Sequence, residues 1–256
     1  MAVRIEKRPG AERGSRTPEK IQSLSSGAIG TVTDAVKDAA GGAIRAVKPR
    51  LRGWIHAFTA PLALAACIVL TVLAPGPALT WACAAYLACS LFLFANSGVY
   101  HISYGHWPRR VTAVLQRVDH ANIYLLIAGT YTPLSVALLD RGMTLLVLGI
   151  VWGGALAGII TSLAWRSAPR WLTTLFYILL GWVAIWFLPQ FWMTGGPAIV
   201  WLLVSGGVVY TVGGAVYARR WPDPDPHWFG FHEIFHTCTV AAWACQCTAC
   251  YLAVLG

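Results

Sequence analysis

From Gly53 to Gly256 the chain carries 13 charged side chains in 204 residues, eight Lys or Arg and five Asp or Glu. A soluble globular domain draws about a quarter of its residues from these four types. So sparse a supply cannot clothe a water-facing surface. Hydrophobic residues make up 57% of the whole chain, and no collagen-like, disordered or disulfide-stapled secreted class has that composition. The chain is expected to be a multi-pass protein of the cell membrane.

An apolar run of about 18 residues crosses the roughly 30 Å hydrocarbon layer as a helix. Seven such runs can be marked: 57–74, 79–100, 118–138, 143–164, 171–188, 197–218 and 232–255. Pro75-Gly76-Pro77, Asp140-Arg141-Gly142 and Thr194-Gly195-Gly196-Pro197 punctuate the odd-numbered turns. The runs lack the alternation of barrel strands, so the expected fold is all-α, a seven-transmembrane-helix bundle. Basic residues near helix ends are retained in the cytoplasm. Arg109, Arg110 and Arg117, then Arg166 and Arg170, then Arg219 and Arg220 occupy the even-numbered connections, while Arg141 is the lone basic residue of the odd-numbered ones. This predicts a cytoplasmic N-terminus and a C-terminus outside.

Two regions follow: a basic cytoplasmic tail over 1–52, net +6, and a transmembrane domain over 53–256. The first 20 residues read as disordered and have no apolar core of a signal peptide. Over 21–47, apolar residues recur at three- or four-residue steps, a weak amphipathic helix that would lie on an anionic leaflet; the plainer reading is a solvated tail that only sets topology. Of 13 Trp, Trp54, Trp81, Trp107, Trp152, Trp171, Trp192 and Trp221 mostly fall near predicted helix ends, as in an aromatic belt at the lipid–water boundary.

Polar groups inside a bilayer are costly unless paired, which makes each a candidate for function. Three clusters qualify: Ser97 and His101 ending the second run, Asp119, His120 and Asn122 opening the third, and His232, Glu233 and His236 opening the seventh. With the topology above, all three lie at one depth near the cytoplasmic face. His232 and His236, four residues apart, share a helix face, and His101 would complete three nitrogens. Three protein ligands with an open position is the pattern of catalytic zinc. Asp119 and Ser97 would hold and deprotonate a water there. Each residue also has a simpler reading: His101 in the headgroup layer, Asp119 at a helix N-terminus, Ser97 as a small packing residue.

His232-Glu233-Ile234-Phe235-His236 also fits the HExxH pattern of metalloproteases, with Glu233 as base. His56, His106, His120 and His227 are expected at the interface or around the ligands, His120 being the best placed for a supporting role. Cys238, Cys245, Cys247 and Cys250 crowd the seventh run; such a run can bind metal, but packing is the expectation, as for Cys67, Cys83 and Cys89.

Ser97-x3-His101, the stretch Val118-Asp119-His120 through Thr132-Pro133, and His232-x3-His236 together resemble the hemolysin III branch of the progestin and adipoQ receptor superfamily, over roughly residues 50–256. The resemblance implies one zinc held by His101, His232 and His236 near the cytoplasmic face, with Asp119 and Ser97 beside it. It also links the chain to hydrolysis of lipid amides such as ceramide in one branch, and to cytolysis or membrane homeostasis in the bacterial branch. Many relatives carry an acidic residue ahead of the first span, whereas Leu51-Arg52-Gly53-Trp54-Ile55-His56 has none. The expected function is a zinc-dependent hydrolase of a lipid amide or ester. The alternatives are a non-enzymatic or cytolytic protein with a structural zinc and an intramembrane protease. Membrane lipids are the expected partners and nucleic acid is not; the sequence leaves the oligomeric state open.

Overall fold

The computed structural model describes residues 51–256 apart from 105, 166–168 and 226. The tail over 1–50, its amphipathic stretch and Arg166 lie outside the described residues. Seven α-helices follow: α1 Trp54–Leu73, α2 Gly76–Ile102, α3 Arg109–Leu138, α4 Arg141–Ala164, α5 Arg170–Gly181, α6 Leu188–Arg219 and α7 Phe231–Leu255, with a 3-10 helix, Trp182–Phe187, between α5 and α6. Among the described residues there is no strand, only an isolated bridge between Asp225 and Phe229.

Six stretches are long and apolar enough to cross a membrane, because Trp171–Arg219 forms a single run of 49 residues. Helical hydrogen bonding continues through this run, but the backbone does not. Gly196 stands at φ 78°, ψ 176°, outside any helix and open to glycine at little steric cost. The chain then folds back on itself. Thr174 touches Gly214, and the Trp182 ring packs beside Gly207 while its indole N–H donates to Thr211 Oγ1 at 2.9 Å. The reversal falls between residues 194 and 197, where the sequence places a turn.

Helix ends are set by local chemistry. Asp140 caps α4, its Oδ1 accepting from Gly142 N at 2.9 Å and Met143 N at 3.1 Å, an arrangement worth about 1 kcal/mol. Where α5 tightens into the 3-10 turn, the Tyr131 hydroxyl donates to Gly181 O at 2.7 Å and accepts from Ala184 N at 2.6 Å. Backbone groups without helical partners must be satisfied inside the protein at this depth. The α6–α7 connection is held by Asp223, which accepts from Phe231 N at 3.0 Å, and by Asp225, which accepts from His227 N at 2.9 Å.

Consecutive helices pack on one another from α1 to α4, and α7 lies against α6, α3 and α1, closing the bundle. The central element is α3: 72% of its most apolar window is buried, against 39% or less in the other spans. It begins at Arg109 rather than near Val118, because two polar turns extend the helix beyond the apolar run. The outer faces present Trp81, Val72, Trp186 and Met193, as hydrocarbon contact requires. Trp152 departs from the expected belt: it lies at the middle of α4, half-buried, and donates to Thr132 Oγ1 at 3.1 Å. All seven cysteines are free, and Cys67, Cys83, Cys247 and Cys250 lie in the core.

Candidate metal centre

His101 stands in the last turn of α2, while His232 and His236 open α7. Near its start α7 is shaped by Glu233, whose Oε2 accepts from Gly230 N at 2.9 Å, satisfying one of the amides a helix start leaves unpaired. His232 just before Glu233 and His236 one turn on both come against His101 of α2. His232 Nε2 lies 3.2 Å from His101 Nε2. Ring centroids are 4.8 Å apart for His101 and His232, 5.1 Å for His101 and His236, and 4.5 Å for His232 and His236.

One nitrogen from each of the three lies within 4.8 Å of the others. Two imidazole nitrogens on one tetrahedral ion, each about 2.0–2.1 Å from it, sit roughly 3.3 Å apart. The His101–His232 pair has this separation and the third donor lies within 4.8 Å, so the group could hold a metal ion. His101 and His236 are buried and His232 half-buried, so the set is shielded but not sealed. Asp119, reaching across from α3, places Oδ2 3.6 Å from His101 Nε2. Ser97 lies one turn before His101, 2% exposed, close enough to the Asp119 carboxylate to interact with it. The structure thus brings together all five residues singled out from the sequence.

Of the two places expected for His56, the interface or around the ligands, it takes the second. It is 3% exposed and stacks on the His236 ring. Glu233 has no free oxygen: Oε1 accepts from Arg52 Nε at 2.9 Å while Oε2 holds Gly230 N, and the residue is fully buried. Tyr217 of α6 was not among the candidates, yet its ring is 5.6 Å from His232 and its hydroxyl 3.3 Å from His120 Nε2. His120 also places Nδ1 2.7 Å from Gln116 O and stands outside the three-nitrogen set. His106 and His227 are exposed on the connections.

A family model described as haemolysin-III related matches residues 44–247. A hemolysin-3 homolog of Bacillus subtilis (strain 168) is 33% identical over 147 residues, 57% of this chain and 65% of that protein. Hemolysin-3 of Bacillus cereus is 36% identical over 110 residues, 42% of this chain and 49% of that protein. The matches thus span 65% and 49% of these relatives' own lengths, less than two thirds of either.

Proposed function

From the premise that this chain belongs to the haemolysin-III related family, we propose that it is a zinc-dependent hydrolase of a lipid amide or ester, working near the cytoplasmic face of the membrane. It would cross the bilayer seven times, with its N-terminus in the cytoplasm and the fold-back at Gly196 separating the fifth and sixth crossings. The observation that carries the reading is the meeting of three imidazoles with the Asp119 carboxylate at one end of the bundle.

His101, His232 and His236 would hold the ion, which when bound supplies Lewis acidity toward a carbonyl oxygen. Asp119 stands beside this set and would take the proton from the attacking water, then return it to the leaving amine or alcohol. Ser97 would hydrogen-bond the water or the developing oxyanion. The substrate would enter from the surrounding lipid, which brings an ester or amide to this depth unaided.

The relatives' name favours a second reading, a membrane-lytic protein in which zinc is structural. Structural zinc takes four protein ligands, and the fourth imidazole near the set, His56, lies flat against His236 rather than converging with the three. The protease reading loses its base, since both Glu233 oxygens are engaged.

Purified protein is expected to hold about one zinc per chain, lost in His232→Ala; a zinc-free wild type ends the proposal. Asp119→Asn is expected to keep zinc while turnover of a ceramide-like lipid falls by about 10²-fold or more. Dye leakage from liposomes that persists undiminished in this variant, with no turnover by the wild type, would favour the lytic reading.

A further inference from the structure

His56 is the third residue of α1, and its ring lies flat on that of His236, with centroids 3.8 Å apart and planes 8° from parallel. On its other side Phe94 of α2 meets it edge-on at 5.2 Å, and Phe94 in turn meets Trp243 of α7 edge-on at 5.4 Å. Trp243 is tied back to α2 by its indole N–H, which donates to Ser90 Oγ at 3.1 Å. The imidazole of α1 is therefore wedged between the two helices that carry the candidate ligands.

A metal-binding histidine ordinarily donates its second ring N–H to a carboxylate or carbonyl, which fixes the orientation of the ring. His236 lacks this device: its Nδ1 is sealed from solvent and has no hydrogen-bond partner. The contacts of His101 Nε2 with Asp119 Oδ2 at 3.6 Å and with His232 Nε2 at 3.2 Å are made by the nitrogens that face one another within the set. For His236 the flat contact with His56 is the closest ring contact, and neither nitrogen of His56 completes a hydrogen bond of its own although the His236 backbone lies beside it.

We propose that His56 is a positioning residue that sets the orientation of the His236 ring by stacking, in place of the usual hydrogen bond. Its ring face, not its nitrogens, does the orienting. The proposal rests on the metal-centre reading given above and adds to it the element that holds the third ligand.

The test loads detergent-solubilised full-length protein with Co(II) and reads both its visible ligand-field spectrum and its affinity against a chelator. His56→Ala is expected to weaken Co(II) binding by about tenfold or more, the range seen when supporting groups around ligands are removed, and to shift the spectrum. His56→Phe, which keeps a flat face without nitrogens, is expected to bind within a few-fold of wild type with the wild-type spectrum. His56→Asn, polar but without a ring, should behave like the Ala variant. Wild-type affinity and spectrum in His56→Ala overturn the proposal, as does an Asn variant that outperforms the Phe variant. Loss of folding in both Ala and Phe variants assigns His56 to packing alone and overturns it too. A wild type that takes up no Co(II) refutes the metal-centre reading itself, a result distinguishable from any of these.

Discussion

Glu233 is fully buried at the mouth of the site, one residue from a candidate ligand, and Arg52 is what balances it. Taking one member from a buried ion pair strands the other, at about 3–5 kcal/mol; Arg52 is one-fifth exposed, so the low end applies. Arg52→Met is expected to destabilise by about 3 kcal/mol. Glu233→Gln costs less, because its amide oxygen still accepts from Gly230 N. The double variant should recover part of the loss, giving a coupling of roughly 1 kcal/mol or more, read from unfolding in mixed micelles. Equal costs for the two single variants, with simple additivity, would refute the pairing. The three candidate ligands were legible because four-residue spacing and a shared depth are properties of the sequence alone. Arg52 was not, and His56 only as a residue at the interface or around the ligands, since their contacts arise only when the start of α1 is laid against α7. No local pattern encodes that approach.

The entry of α1 is the element most tightly coupled to the site. Gly53 holds φ 91°, and a Cβ there would stand 2.7 Å from His101 Cβ and 3.0 Å from Ile102 N. Gly53→Ala must therefore both strain the backbone, by about 1–2 kcal/mol, and push on the last turn of α2. We expect zinc retention against a chelator to fall in this variant with helix content unchanged. Gly76→Ala is the control: φ is 76° there, but the added carbon meets nothing within 4 Å, so strain appears without loss of metal. Equal zinc retention in the two variants would show that the α1 entry does not brace His101. Element existence was readable from apolar length, and the boundaries of α2, α4 and α7 fell within a few residues. The start of α3 was not, because helical propensity carried the chain past the apolar run. The 3-10 turn was hidden as well, since it depends on Tyr131, some 50 residues away, to satisfy its backbone.

Across the whole molecule, the C-terminal end of α2 and the N-terminal parts of α3 and α7 meet at one end of the bundle, where Arg109 and Arg110 open α3 and Arg219 and Arg220 precede the α6–α7 connection. Topology can be read directly. With intact cells and a membrane-impermeant thiol reagent, Arg141→Cys and Thr194→Cys are expected to label from outside, while Arg109→Cys and Trp221→Cys should label only after the cytoplasmic side is opened. Labelling of Thr194→Cys from the cytoplasmic side alone would remove the fold-back as an outer turn and with it the sevenfold crossing. The native cysteines make that experiment simpler than their number suggests. Five are buried, and the other two, Cys238 and Cys245, stand within a helix apolar enough to cross the membrane, whereas alkylation needs a thiolate in water. Evolution has left the chain a dark background, on which a single engineered thiol is the only lamp.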